Sequence, residues 1–319
     1  MIKTKILITG ATGFVGRVFC SLLPRDTFLL LESGGTLYSS SQSSGTVVDI
    51  TQAEAVADQV AMFKPDVVLH LAAQSHVPTS FADPVSTWQT NVLGTVNYLT
   101  ALQQHAPDAF FLFVSSSEVY GHAFKTGIPV TEDSTCLPTN PYAASKLAAE
   151  LACQQFFAQG LRGVIARPFN HIGPGQASGF VSAAFAEQIA KIEMDLQLPV
   201  MQVGNLAAYR DFLDVRDVCM AYLAIIQAAL QGQALAPVLN IASGQAVPIE
   251  QLLHHLINHT STSISVTLDA ERLRPSDIPY AVGDASLLSQ QTGWRPQLAL
   301  TDTLLAILDD WRHRVRERI

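Results

Sequence analysis

Apolar residues run without alternation through residues 5–9 (KILIT), the pattern of a parallel strand buried on both faces. Strands are predicted likewise at 27–31, 46–48, 66–71, 109–114 and 161–166. Helix-like stretches separate them, running through residue 23, over 52–63, and over a long segment at 82–105 that opens around Asp83-Pro84. Strand and helix therefore alternate from residue 5 to about residue 167, which predicts an α/β fold built on a Rossmann-type, doubly wound parallel sheet.

After Arg167 the texture changes. Residues 168–176 (PFNHIGPGQ) are dense in Gly and Pro at a strand's carboxyl end, where ligands sit in open α/β sheets. Helices are then predicted at 181–195, 218–231, 248–258, 285–292 and 301–318, with short strands at 200–203, 238–241 and 263–267. This divides the chain into residues 1–167 and a smaller α+β lobe, 168–319, interleaved with the first. Residues 33–45, rich in Ser and Gly, read as a surface loop.

The chemistry concentrates where strands end. Gly10-Ala-Thr-Gly13-Phe-Val-Gly16 joins the first strand to a helix. Glycines there let the backbone approach a pyrophosphate, whose charge meets the exposed N–H groups of the first helical turn. Residues 1–167 thus read as a dinucleotide-binding domain. Glu32 lies 22 positions after Gly10, placed to bind adenosine ribose hydroxyls and repel a 2′-phosphate, which favours NAD(H) over NADP(H). Asp49 and Ile50 are placed to flank the adenine. Leu71-Ala72-Ala73-Gln74 offers small residues over which a cofactor could lie flat, while His70 reads as a packed core histidine. Tyr142 and Lys146, four apart behind Asn140-Pro141, share a helix face. There the ammonium can stabilise the phenolate and pull its pKa toward neutral, so that the tyrosine passes a proton to or from an alcohol or ketone oxygen.

Composition narrows the classes. The 319 residues are 48% hydrophobic and 14% charged, enough for a large core. A net charge of −8 provides no basic field for nucleic acid or anionic membrane. Four cysteines without CxxC spacing suit a reducing compartment and suggest neither a disulfide frame nor a thiolate metal site. The N-terminus runs straight into a strand and no apolar run reaches membrane-spanning length, so a cytoplasmic protein is expected. His255 and His259, four apart without the Glu of an HExxH pattern, read as solvated or capping residues, and no metal is expected. The basic tail 311–318 reads as a helix end whose cations suit the macrodipole.

Taken together, Gly10-x-x-Gly13-Phe14-x-Gly16, His70-Leu-Ala-Ala73, Ser115–Gly121 (SSSEVYG), Tyr142-x-x-x-Lys146 and Arg167-Pro168-Phe169-Asn170 resemble the extended short-chain dehydrogenases/reductases over essentially the whole chain. The second half, with Gly179-Phe-Val181, Val203-Gly-Asn-Leu206, Arg210–Asp217 and Arg274-Pro-Ser-Asp277, is similar to the branch that reduces GDP-4-keto-6-deoxy-D-mannose. The resemblance implies that Tyr142 gives a proton to the C4 ketone, that Lys146 holds the nicotinamide ribose, and that Ser116 hydrogen-bonds the same oxygen. It adds Thr12, Phe14, Val15, Asn91, Pro168 and Phe169 to the cofactor contacts. Substrate contacts implied are Ser116, Ser117, Asn170, Val181, Val203, Arg210 and Arg274, the arginine forks matching a diphosphate. The implied product is GDP-D-rhamnose, with the 4-epimeric 6-deoxy-talose nucleotide still open.

Glu118 keeps a rival reading, since sugar-nucleotide 4,6-dehydratases use a Glu two residues after the catalytic Thr to remove a C5 proton. Against that reading, the chain has Ala11-Thr12 where GDP-mannose dehydratases show Gln-Asp, and Ser117-Glu118 where dTDP-glucose dehydratases show Asp-Glu. A 4-epimerase and a non-catalytic dinucleotide sensor complete the alternatives. The resemblance also implies a homodimer through helices near 84–105 and 142–159, where Ala143, Ala144, Ala148, Ala149 and Ala152 permit close packing.

Overall fold

The computed structural model describes residues 3–33, 48–272 and 278–318. In its first half, β1 (Thr4–Thr9), α1 (Phe14–Leu22), β2 (Phe28–Ser33), α2 (Ala53–Phe63) and β3 (Val67–His70) are followed by α3 (Val77–Ala82) and α4 (Pro84–Trp88). A π-turn over Gln89–Leu93 leads into α5 (Gly94–His105), then β4 (Phe110–Val114), α6 (Pro141–Ala158) and β5 (Arg162–Pro168). The second half contributes β6 (Asn170–Ile172), α7 (Val181–Glu193), β7 (Val200–Val203), β8 (Tyr209–Arg210), β9 (Phe212–Asp214), α8 (Val215–Leu230) and β10 (Val238–Ile241). It ends with β11 (Val247–Pro248), α9 (Ile249–Ile257), β12 (Ser265–Leu268), β13 (Tyr280–Ala281), α10 (Ser286–Thr292) and α11 (Leu300–Arg316).

Six parallel strands pair in the order β10-β5-β4-β3-β1-β2. The chain moves outward from β1 to β2, then returns to the other side of β1 with β3. That reversal is the topological switch point, and the carboxyl ends of β1 and β3 flank the crevice it opens. One face of the sheet is covered by α1 and α8, with Phe19, Val218, Tyr222 and Ile226 in a single core cluster. The other is covered by α2, α5 and α6, through Val56, Val60, Tyr98, Leu102, Ala149 and Cys153. The uninterrupted apolar strands follow from this double burial: Ile6, Leu7 and Ile8 are all solvent-free. A separate cluster joins α7, α9 and α11 around Ile189, Leu252, Leu256 and Ile307.

Several local expectations are corrected. The predicted helix at 82–105 is a broken one, because the π-turn at Gln89–Leu93 inserts an extra residue per turn around Asn91, whose amide is engaged by the neighbouring loop rather than by solvent. A further short helix, α3, precedes it. Of the predicted strand at 46–48, residues 46 and 47 lie outside the described residues, and Val48 is not in a strand. The predicted loop at 33–45 also lies outside them, apart from Ser33, which ends β2. The predicted strand at 238–241 joins the main sheet as its edge, hydrogen-bonded to β5. α8 begins at Val215 rather than 218, because the Asp214 carboxylate caps it by accepting from the Arg216 N–H.

Between β1 and α1, Gly10 adopts φ +71°, and a Cβ on Gly16 would collide with the Gly10 carbonyl oxygen and the Ala11 backbone. The turn is therefore wound too tightly for any side chain at Gly16. Gly16→Ala is expected to cost about 1–3 kcal/mol of stability by overpacking, read from urea unfolding; an unchanged midpoint would mean that the turn opens freely.

Candidate active site

α1 begins at Phe14 with Gly13 as its N-cap, and no side chain caps it. Its first-turn N–H groups thus face the crevice beside the glycine turn, the arrangement that receives a pyrophosphate, so the residues present fit a dinucleotide. Arg17 ties the turn to the loop after β6, donating to the carbonyls of Thr12 at 2.6 Å and Gly175 at 3.3 Å. Phe14 lies parallel to His171, ring centroids 6.4 Å apart. Glu32 sits near the carboxyl end of β2, opposite Ile8, with Arg25 3.7 Å away. Asp49 accepts from the backbone and hydroxyl of Thr51 ahead of α2, which holds its carboxyl below the usual range.

A buried hydrogen-bonded chain organises the strand ends. The Ala72 N–H donates to Thr9 Oγ1 (3.1 Å), and Thr9 Oγ1 meets His70 Nδ1 (2.9 Å). On the other side of the ring, His70 Nε2 meets Thr95 Oγ1 (3.1 Å), which donates to the Asn91 carbonyl (2.7 Å). Since Thr95 spends its proton on Asn91, His70 must carry its proton on Nε2 and accept from Thr9 at Nδ1. Burial and the nearby Lys146 charge depress its pKa to about 3, so the ring is neutral. The Asn91 side chain continues the chain, accepting from the Gln74 N–H (2.8 Å) and donating to the Gln74 carbonyl (3.0 Å) and to Ser145 Oγ (2.9 Å). Ser145 then donates to the Tyr142 carbonyl (2.7 Å).

α6 is capped by Asn140, whose Oδ1 accepts from the Ala143 N–H at 2.8 Å. Tyr142 and Lys146 lie buried on the face it turns to the sheet. Ser116 stands beside the Tyr142 phenol and opposes the upward shift of its pKa. The Ser116 hydroxyl oxygen accepts from the Glu118 N–H (3.2 Å). Lys146 Nζ donates to the Val114 carbonyl at 2.6 Å and lies 4.8 Å from the Phe113 ring centre. The expectation that this ammonium pulls the Tyr142 pKa toward neutral is corrected: burial pushes the phenol up to about 12, with only Ser116 opposing and Glu118 reinforcing. Burial brings the Lys146 ammonium down to about 8.

The structure draws together at the carboxyl edge Ser116, Tyr142, Lys146, the glycine turn and the Leu71–Gln74 loop, whose Leu71 N–H bonds the Thr9 carbonyl. Other candidates sit differently. Phe169 is a core residue, stacked on Tyr120 and edge-on to Phe124, so its side chain does not line the crevice, while Pro168 ends β5 opposite Ile241. Ile50 is likewise buried. Val203 belongs to the core of the second lobe, and Val181 starts α7. Asn170, in β6, pairs with Phe212. Arg210 donates to the carbonyls of Tyr209 and Ile278. Arg274 lies outside the described residues. The Glu118 carboxylate accepts from the Asn140 side chain at 3.0 Å and so latches the turn to the start of α6. His259 Nδ1 meets the His255 carbonyl at 2.7 Å. A cavity of about 610 Å³ opens between α7 and β7, near Ser178, Gln188, Lys191, Gln202 and Arg272. One of about 640 Å³, near Ser243, Asp284 and Trp294, lies beyond β10 and is not lined by the Tyr142 residues.

Unforeseen from the sequence were Thr9, Thr95 and Ser145, which carry the buried chain, and Glu150 with Arg167. Glu150 did leave a signal, as an acid four residues after Lys146 and so on the same helix face.

The glycine turn, the switch-point crevice and the Ser–Tyr–Lys face define a dinucleotide-dependent enzyme of the short-chain dehydrogenase/reductase type. The chain belongs to the extended branch of that family, and the family model described as GDP-mannose 4,6 dehydratase matches residues 7–306. It is 43% identical over 254 residues to the GDP-6-deoxy-D-mannose reductase of Pseudomonas aeruginosa, covering 79% of this chain and 82% of that protein. A solved structure of RMD from Pseudomonas aeruginosa complexed with NADPH superposes with a TM-score of 0.86 at 37% identity, covering 98% of this chain and 100% of that one. A UDP-glucose 4-epimerase from Thermus thermophilus in complex with NAD superposes at 0.83 with 26% identity, covering 97% and 99%.

The His70 geometry makes stability pH-dependent. The unfolded chain takes up a proton near the ordinary value of 6.5 and the folded chain only near about 3, so stability falls as pH drops through 6.5. In urea unfolding, the stability advantage of the wild type over His70→Asn at pH 7 should shrink by about 2 kcal/mol at pH 5. A gap that does not change with pH would contradict a neutral, buried His70.

Proposed function

We propose that this protein reduces the C4 ketone of GDP-4-keto-6-deoxy-D-mannose to give GDP-D-rhamnose. One observation carries the reading: Tyr142 and Lys146 are buried on one face of α6, and Asn91 and Ser145 tie that face to the Leu71–Gln74 loop at the strand ends. When bound, the nicotinamide supplies the hydride. Burial keeps Tyr142 protonated at neutral pH, so it can donate to the C4 oxygen as charge develops there. Ser116, beside Tyr142, is the hydroxyl that would steady the same oxygen. Lys146 is the group that would hold the nicotinamide ribose. Asn170, Ser117, Val181, Val203, Arg210 and Arg274 are proposed to bind the nucleotide diphosphate and sugar.

The 43% identity to a GDP-6-deoxy-D-mannose reductase supports a GDP-sugar substrate. The dehydratase reading asks Glu118 to act as a base. Its carboxylate is instead engaged by the Asn140 amide at the cap of α6, which supports reduction over dehydration. Glu32 supports a preference for NADH, while the Pseudomonas aeruginosa structure holds NADPH, so both cofactors belong in the assay. The exposed apolar residues Phe81, Val85, Trp88 and Leu151, on and near α4 and α6, support a homodimer. Among the described residues no helix is long and apolar enough to cross a membrane. The acidic composition and four free cysteines support a cytoplasmic setting.

The decisive assay follows NADH and NADPH oxidation with enzymatically generated GDP-4-keto-6-deoxy-D-mannose, and with GDP-mannose separately. Cofactor loss is expected with the keto sugar alone. Conversion of GDP-mannose to a 4-keto product without net cofactor loss would move the protein to the dehydratases. Tyr142→Phe should lower kcat about 10²–10⁴-fold, whereas Glu118→Gln should keep most of the activity; the reverse ranking would make Glu118 the proton-transfer group. Glu32→Gln should raise the ratio of NADPH to NADH efficiency severalfold, and an unmoved ratio would remove Glu32 from cofactor choice.

A further inference from the structure

Behind the Tyr142–Lys146 face lies a buried ion pair that the reaction itself does not use. Glu150, one turn after Lys146 on α6, is fully buried. Arg167 of β5 grips it with two donors, Nε to Oε1 at 3.0 Å and Nη2 to Oε2 at 2.6 Å. The Ser115 hydroxyl, just past β4, donates to the same carboxylate. Arg167 is held in turn: Nη1 donates to the Tyr120 hydroxyl at 3.0 Å, and its guanidinium lies 4.8 Å from the Tyr120 ring centre. The Tyr120 hydroxyl donates to Asn240 Oδ1 at 2.7 Å, and the Asn240 N–H donates to Glu132 at 2.8 Å. One carboxylate thus joins the catalytic helix to β5, to the end of β4 and, through Arg167, to the turn that follows Ser116.

A buried ion pair is a poor source of stability, because desolvation offsets most of its attraction. What distinguishes this one is its neighbour. Lys146 is buried, and its Nζ donates to a neutral group, the Val114 carbonyl, rather than to a carboxylate. The charged and titratable groups around it are Tyr142, Glu150 and Cys153 on its own helix, neutral His70 from β3, Arg167 behind Glu150 from β5, and Glu118 across Tyr142. Glu150 is the carboxylate among them on the same helix face, one turn away.

We propose that Glu150, clamped by Arg167, is a positioning residue that keeps the Lys146 ammonium charged and sets the Tyr142–Lys146 face against the strand ends. Burial draws the Lys146 proton off, and Cys153 and Glu150 oppose it; Glu150 is the carboxylate of the two. The proposal rests on Tyr142 and Lys146 being the working pair.

The test uses the full chain and two variants of opposite charge effect. In Glu150→Gln the ammonium loses its carboxylate and faces an unpaired Arg167, so it gives up its proton at lower pH. In Arg167→Gln the Glu150 charge is no longer shared, so the ammonium persists to higher pH. The alkaline limb of kcat/KM for keto-sugar reduction should therefore move down by about one pH unit or more in the first variant and up in the second. The alkaline loss of NADPH affinity, followed by nucleotide fluorescence without substrate, should move in the same two directions. If Glu150→Gln does not fold, the upward move in Arg167→Gln carries the test. Limbs that stay in place, or that move the same way in both variants, would overturn the proposal and leave the pair a structural clamp. Full activity in Tyr142→Phe or Lys146→Met would instead remove the working pair on which the proposal stands.

Discussion

The carboxyl edge of this sheet is held by hydrogen bonds that never reach water. From the Ala72 N–H through Thr9, His70, Thr95, Asn91 and Ser145 to the Tyr142 carbonyl, each polar group is satisfied by the next. An unpaired member of such a chain would carry the full cost of desolvation, so the members hold one another to a single arrangement. That arrangement links β1, β3, α5 and α6, the elements that bring the glycine turn, the Leu71–Gln74 loop and the catalytic pair to one place.

The π-turn sits at the same junction. Within it the Asn91 side chain reaches Gln74 and Ser145, and its carbonyl accepts from the Thr95 hydroxyl four residues on. The widened turn at Gln89–Leu93 accommodates both, and Gly94 lets α5 resume against Ile50. The irregularity is therefore the junction at which the cofactor-side loop and the catalytic helix are registered against each other.

Charge is handled in a similar way on the other side of the site. Asp211, nearly solvent-free, accepts from Ser243, Gly244 and Gly283, so that one carboxylate ties the junction of β8 and β9 to the loops after β10 and β13. Asp214 caps α8 while bonding Arg216 and the Thr303 hydroxyl of α11. These anchors lie at the two ends of β9, in the lobe carrying Asn170 and Arg210. Ligand-facing loops are normally mobile; here buried carboxylates pin their roots.

Much of this was legible without coordinates. Unbroken apolar runs such as KILIT specify strands covered on both faces, and the spacing of Gly10, Gly13 and Gly16 specifies a turn that tolerates no side chain, because both are local consequences of packing and sterics. The shared helix face of Tyr142 and Lys146 follows from helical periodicity alone. What periodicity cannot convey is which distant side chains meet. Phe169 reads from the sequence as a cofactor contact beside Arg167 and Asn170, yet its ring faces the core, since alternate residues of an extended segment point to opposite sides. Glu118 reads as a base from its spacing to Ser116, and only the approach of Asn140 engages its carboxylate. The protonation states are likewise tertiary: His70 is neutral because burial and the Lys146 charge forbid a second proton, and Tyr142 keeps its proton because burial disfavours the phenolate. Local sequence determined the elements and the chemical groups they carry; long-range burial and pairing decided which groups face the crevice and with what charge.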